Sequence, residues 1–323
     1  MSGKNILMYF PWNRPEEEAA PLGNLDNRFG ALFELRRIQW PKYEKLADAQ
    51  HFNQGIAGFF DNILLQNYSQ FREEMRYRSG NAVRLVERRT SEGKETLLDG
   101  DFFDGIDILI IASFDSQRTD QRPGANELTA IRKFLDDPGH TLFVCPHHDI
   151  GYIEGVPADE LLARQEAEFH HHGDPGIPGQ QRLGGFAKAL LRDLGVPVVN
   201  RYGLRPAKTQ DGSPAPIQIN THADRFNLLD GIKSLHLHPH LPHFEMLGDS
   251  AQKLDVLVEQ FIDLEAPPHP FVRQGRKTFD AVLQSKSNVF GGRLLICDAT
   301  LWTSTNGGLG SLRQFWANVT RLG

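Results

Sequence analysis

Five stretches of this chain carry side chains that could bind a metal ion or move a proton. His147, His148 and Asp149 follow directly on an apolar run that ends in Cys145 and Pro146. Asp298 closes a second apolar run, and Thr303, Asn306, Gly307 and Gly308 lie just beyond it. Glu166 stands four residues before His170, which begins the triplet His170-His171-His172. Residues 235–243 read Leu-His-Leu-His-Pro-His-Leu-Pro-His, and Asp115 and Arg118 occupy a polar loop after a third apolar run. Histidine titrates near neutrality and ligates metals through a neutral ring nitrogen. A histidine in a crevice beside a carboxylate can therefore serve as general base or metal ligand.

Each stretch has two accounts. Successive residues on an extended chain point to opposite sides, so one of His147 and His148 would face a crevice while the other packs or meets water. The plainer account is a polar pair capping a sheet. Glu166 and His170, at i and i+4, share one helix face. They do not form His-Glu-x-x-His, and histidines in the last turn of an exposed helix simply offset its dipole. With Leu235 and Leu237 facing inward, His236 and His238 would share the other face of a strand, around a metal or toward solvent. Pro239 and Pro242 suit a sheet edge. The candidate ligands are thus His148, Glu166, His170, His236 and His238, and a divalent ion such as zinc needs only three or four of them. The turn at 306–311 could hold a phosphate or carboxylate on its backbone amides, or it could be a flexible entry to a helix capped by Ser311.

Elements must bring these groups together. Residues 4–10, 82–87, 106–113, 141–147 and 293–299 are short apolar runs bounded by turn signals, and the third and fourth are nearly continuous, as in strands covered on both faces. Between them, Ile56, Phe59, Phe60, Ile63, Leu64, Phe71 and Met75 recur at helical spacing as one buried stripe. Leu128, Ile131, Phe134 and Leu135 mark the next helix, ended by Asp136-Asp137-Pro138-Gly139. Strand, helix and strand at this spacing predict the right-handed crossovers of a parallel sheet. Residues 150–182 combine a polar helix at 157–170 with a Gly/Pro-rich loop, the composition of a lid-like insertion. A helix follows at 184–194, and short alternating strands such as 217–220 and 234–238 predict an antiparallel extension. The expected fold is α/β, a three-layer sandwich on a mostly parallel sheet, in a single domain spanning residues 1–323.

Composition sets the boundaries. The chain has 323 residues, 40% hydrophobic and 24% charged, with a formal net charge of −6. Phosphate backbones are bound by clustered Lys and Arg, whereas the basic residues at 72–78 and 84–89 alternate with Glu, so no nucleic-acid partner is expected. No stretch approaches the ~20 apolar residues of a membrane span, and no signal peptide is visible. Two cysteines inside apolar runs fit reduced, buried thiols. The expectation is a cytoplasmic protein with a small-molecule ligand or substrate, no membrane partner, and homo-oligomerisation left open.

Two blocks carry a family resemblance. Residues 106–151, IDILIIASFDSQRTDQRPGANELTAIRKFLDDPGHTLFVCPHHDIG, and 291–322, GGRLLICDATLWTSTNGGLGSLRQFWANVTRL, resemble the class I glutamine amidotransferase-like superfamily, in its trehalose-utilisation-like and gliding-motility-associated branches. The segment NLLDGIKSL at 227–235 adds to the likeness. The resemblance implies a flavodoxin-like sheet, and a cysteine nucleophile at the position of Cys145. The elbow that exposes such a nucleophile is a strained turn among small residues. Here Phe143, Pro146 and His147 surround Cys145, and Pro146 favours an extended backbone before it. The amidotransferase triad is therefore not retained in its usual form.

Ligands of open parallel sheets bind outside the carboxyl ends of the strands. That rule gathers Asp115, Arg118, Asp298, Thr303, Asn306, Gly307 and Gly308 into a ligand-binding rim around catalytic candidates Cys145, His147, His148 and Asp149. The leading expectation is a hydrolytic small-molecule enzyme using a histidine base or a histidine-bound divalent metal. A non-catalytic ligand-binding or scaffold protein is the first alternative, and a Cys145-dependent amidase the second.

Overall fold

Four apolar runs and one mixed edge strand form the parallel half of one large sheet. In the computed structural model, which describes residues 3–19, 60–149, 156–157, 159–172, 182–303 and 307–322, β1 spans Ile6–Asn13 and β2 Arg84–Arg89. Next come β3 at Ile108–Ser113 and β4 at Thr141–Pro146. Four two-residue strands, β5 to β9 without β7, make small side pairings: β5 (Val198–Val199) with β9 (Glu245–Met246), and β6 (Gly203–Leu204) with β8 (Leu241–Pro242). The main sheet continues with β7 (Gln218–Ile219), β10 (Leu254–Phe261), β11 (Thr278–Ser285) and β12 (Arg293–Cys297).

The eight strands run in the order β2-β1-β3-β4-β12-β11-β10-β7. All neighbours from β2 to β12 are parallel, and β11, β10 and β7 add antiparallel pairings. The parallel part has the 2-1-3-4-5 order of the flavodoxin-like doubly wound fold. The architecture is the α/β three-layer sandwich expected from the strand and helix pattern, antiparallel extension included.

Alternation along the strands splits the core. Met8, Phe10, Ile110, Phe143, Cys145, Leu295 and Cys297 face one layer. Tyr9, Ile111, Leu142, Val144, Leu294 and Ile296 face the other. On the first side lie α2 (Ser69–Ser79), with Phe71 and Met75 buried, and α6 (Leu309–Val319), with Leu312, Phe315 and Trp316 buried. On the second lie α3 (Ala125–Asp136) and α5 (Gly185–Asp193), which bury Ile131, Phe134, Phe186 and Leu190. A short α1 (Arg14–Glu18) follows β1, and α4 (Leu161–His172) is the helix of the 150–182 segment. Truncating a core aromatic such as Trp302 in this packing would cost about 3–5 kcal/mol.

Several local expectations are corrected. The stripe running to Met75 is not one helix: a π-turn at Phe60–Leu64 and a break at Tyr68 precede α2. Ile56 and Phe59 lie outside the described residues, as do 173–181 of the lid-like segment. Residues 234–238 form no strand; the pairing begins three residues later, at Leu241. The antiparallel extension consists chiefly of β10 and β11, each eight residues long. Finally, α6 is capped by Gly308 and not by Ser311. Gly308 has φ +65°, and a Cβ there would lie 2.7 Å from the Leu235 carbonyl oxygen. Only glycine allows this close approach, which sets the path of the histidine-bearing loop that follows Leu235.

A candidate metal centre at the carboxyl end of the sheet

The parallel pairing of β4 with β12 brings the ends of two runs 150 residues apart onto one rim. Pro146 pairs with Ser113, and the His147 amide donates to the Ser113 carbonyl at 3.0 Å, so the chain stays extended one residue past the strand. The Asn200 side-chain amide donates to the His147 carbonyl, and the Asp149 amide donates to the Asn200 carbonyl at 3.2 Å. Across β12, Asp298 ends the strand and caps the 3-10 turn Ala299–Trp302, its Oδ1 accepting from the Thr300 amide at 3.1 Å. The same oxygen meets His147 Nδ1 at 3.2 Å. A carboxylate against Nδ1 fixes the tautomer, placing the proton on Nδ1 and turning Nε2 outward as the ligating or basic atom.

His148 and His238 complete the group. The rings of His147 and His148 are 3.9 Å apart, those of His148 and His238 5.3 Å, and those of His147 and His238 5.9 Å. One nitrogen from each of the three lies within 4.8 Å of the other two. His240 stands beside them, 5.1 Å from His148 and 5.5 Å from His238 between ring centres. Phe114 packs on His147 at 4.5 Å and forms an apolar wall.

His236 has another task. Its Nδ1 accepts from the His238 amide at 2.8 Å, and its Nε2 contacts Thr303 Oγ1 at 3.3 Å, which itself donates to the Thr300 carbonyl. Burial pushes the ring down to about 4, with the Asp298 carboxylate offsetting part of that shift. A neutral His236 therefore shapes the turn that presents His238, and Thr303 serves the same turn.

The remaining candidates are dispersed. Asp149 is buried, with one oxygen accepting from Lys188 Nζ at 2.7 Å and the other from the Leu183 amide at 2.8 Å. Asp115 is sealed at the start of α5, accepting from the Phe186 amide at 2.8 Å and from Ser113 Oγ at 2.5 Å, and burial raises it to about 7. Arg118 is exposed and donates to the Glu16 carbonyl, while Glu17 accepts from the Ser116 amide. These contacts stitch the loops after β1 and β3 together at the switch point, the usual ligand crevice of this strand order. Glu166 and His170 are exposed on α4; the face that helix buries carries Glu168, Phe169 and His171. Gly307 and Gly308 serve the approach to α6, and Asn306 lies outside the described residues.

Cys145 has no exposed surface. Its sulfur lies 3.6 Å from Cys297 Sγ and accepts from Trp302 Nε1 at 3.4 Å. Both thiols are free, and burial first, then the Cys145 contact, pushes Cys297 up. A thiol sealed in the layer offers no path to a substrate carbonyl, which weighs against the amidase reading.

His240 belongs to the same stretch, 235–243, but the alternating pattern does not single it out. Strict alternation selects 236 and 238, and Pro239 breaks that period before the third histidine. Glu168 and His171 lie in a mostly polar stretch, 164–172, where nothing local marks which side chains are buried, and His269 is a lone polar residue between two prolines.

No family model matches this chain, and no curated protein matches it. Among solved structures, the chain is similar to a protein described as ThuA-like from Parabacteroides merdae, at 12% identity over 79% of this chain and 83% of that one, with a TM-score of 0.35. An overlap that loose carries no argument about chemistry. What the strand order and the side chains define is a flavodoxin-like α/β protein with a histidine cluster at the carboxyl end of its sheet. No helix among the described residues is long and apolar enough to cross a membrane.

Proposed function

We propose that this chain is a metal-dependent hydrolase of a small molecule, with a divalent ion such as zinc held by His147, His148 and His238. The observation that carries the reading is the convergence of those three ligand atoms within 4.8 Å. Three histidines with an open position form the ligand set of catalytic zinc. The Asp298 carboxylate on His147 Nδ1 supplies the outer contact that orients a ligating ring. Held by these three histidines, such an ion would supply activation of water as a nucleophile near neutral pH. The protein's own part is positional. Asn200 and Ser113 hold the His147 backbone, His236 and Thr303 hold the turn at His238, and Phe114 excludes water from one side of His147.

Elemental analysis of freshly purified protein tests the assignment. One zinc-class ion per chain, lost in His238→Ala and in His148→Ala without loss of fold, is the expected result. Metal-free protein with no divalent affinity would refute it.

The His147–Asp298 contact favours a second reading, in which His147 alone is the general base. Turnover that survives thorough chelation but is lost in His147→Ala would select that mechanism. Absence of turnover on ester, amide and glycoside panels in metal-loaded protein would select the binding-protein alternative.

A further inference from the structure

A cleft against α5 carries charges that the proposed histidine centre does not use. It encloses about 360 Å³ between the loop after β3, the outward side of α5 and the segment around β5. That is the size of a small-ligand site. Its apolar lining comes from Ala189 on α5, Val198 on β5 and Leu247, the residue after β9.

The walls are tied to the fold by local contacts. The Gln117 amide donates to the Arg182 carbonyl at 2.9 Å, and a Cβ on Gly185 would lie 3.5 Å from the Gln117 side chain. The loop after β3 therefore packs directly on the first turn of α5. Asp120, in the left-handed conformation at φ +44°, ends the 3-10 turn Gln117–Thr119 and carries the loop on to Arg122. On the other side the Leu247 amide donates to the Pro197 carbonyl at 3.0 Å.

Four charged residues line the cleft, and three of them are cations: Arg122, Lys188 and Arg192 against Asp120. The excess is positive in a chain whose formal net charge is −6. Lys188 is committed to the fold, for its side chain is nearly buried and its Nζ donates to Asp149 Oδ2 at 2.7 Å. The two arginines stand differently. Arg122 belongs to the loop and Arg192 to α5, so they come from different walls, and each side chain is more than half exposed. Each is steadied through Nε, Arg122 by Asp120 at 2.8 Å and Arg192 by Asp193 at 2.9 Å. A guanidinium has five donors, so engagement at Nε leaves its terminal nitrogens to a ligand. Such forks suit a carboxylate or a phosphate.

We propose that this cleft binds a small organic anion, its carboxylate or phosphate head recognised by Arg122 and Arg192 and its compact apolar body lying against Ala189, Val198 and Leu247. The site is separate from the histidine rim and needs neither metal nor turnover.

Phenyl phosphate and phenylacetate are suitable probes, titrated into the full chain by calorimetry at low salt. At least one should bind saturably, and the tighter of the two identifies the head group that the cleft prefers. Phenylacetamide keeps the ring and drops the charge, and should bind about tenfold more weakly or worse. Arg122→Ala and Arg192→Ala alter exposed positions and should fold as the wild type does. Each should weaken the anion by about tenfold or more, the loss expected for a hydrogen bond to a charged group. His238→Ala should bind the anion with wild-type affinity. The proposal is overturned by any of four results: no saturable binding of either anion up to about 10 mM, equal binding of the neutral ring, wild-type affinity in both arginine variants, or loss of binding in His238→Ala, which would move the anion to the histidine rim.

Discussion

The molecule holds two groups of histidines, and they differ in where their ring nitrogens are engaged. At the rim of the parallel strands, His147, His148, His238 and His240 face one another across ring separations of 3.9–5.9 Å. Beneath α4, the second group faces its own backbone. His171 Nδ1 meets the Pro267 carbonyl at 2.8 Å and its Nε2 accepts from the Arg205 amide at 2.9 Å. His269 Nδ1 accepts from the Phe271 amide at 2.9 Å, which puts its proton on Nε2, 3.6 Å from Glu168 Oε1. His243 lies between the Asp280 amide and the Arg276 guanidinium, each at 3.1 Å. Burial drives His171 to about 4 and His243 and His269 to about 3. His171 and His269 are neutral spacers between α4 and the loop at 263–271, and His243 is held by Asp280 and Arg276. No trio in this second group closes to the 4.8 Å that the first group reaches, among the described residues. A histidine cluster becomes a site when its nitrogens converge on one point, and it becomes structure when neighbouring backbone and side-chain groups of the fold occupy them separately.

Exchanging the consequences of mutation between the two groups would break this comparison most directly. In the rim group, His148→Ala or His238→Ala should lower zinc affinity by more than roughly 100-fold, since even outer contacts to such ligands are worth about 10–100-fold, with little change in thermal midpoint. Equilibrium dialysis and calorimetry measure the two quantities. In the sealed group, His171→Ala should leave zinc affinity alone and destabilise by about 2–4 kcal/mol, because two buried backbone groups lose their partner. A destabilised His238→Ala with intact zinc binding would invert the assignment.

A smaller effect comes with pH. His171, His243 and His269 are protonated in the unfolded chain below about 6.5 and stay neutral in the fold down to about 4, 3 and 3. Their contribution is complete above 6.5 and is lost as pH falls through that window. Asp115, raised to about 7, and Asp280, raised to about 6, both chiefly by burial, act in the opposite sense. Both keep their protons in the fold where the unfolded chain has released them. His236, lowered to about 4, joins these three histidines, so four groups that take up a proton on unfolding stand against two that release one, and stability should fall as pH drops from 6 to 4. Urea midpoints across that range measure the slope, and His269→Gln should flatten it.

The smallest effect sharpens the contrast by its absence. Glu166→Ala and His170→Ala alter exposed positions on α4, so each should change stability by less than about 0.5 kcal/mol and zinc affinity not measurably. A tenfold loss of zinc in His170→Ala would extend the rim group to the far side of that helix.

Much of this protein is local enough to be legible in the chain. The four runs that became β1, β3, β4 and β12 declare themselves because strands buried on both faces must be continuously apolar. Their right-handed crossovers then oblige His147 and Asp298 to leave the sheet at the same end. Composition likewise explains why Cys145 packs as a core residue, since Pro146 favours an extended chain where an elbow would be needed. Which nitrogen each histidine offers, and to what, was settled only by packing. Glu166 and Glu168 are two residues apart on one helix, yet the first meets solvent and the second His269. His236 and His238 share an alternating pattern, yet Gly308 draws the chain against Leu235, so no strand forms and the two rings take different work. Helical rotation and loop path are fixed by contacts between segments tens to hundreds of residues apart, and no local pattern encodes those contacts.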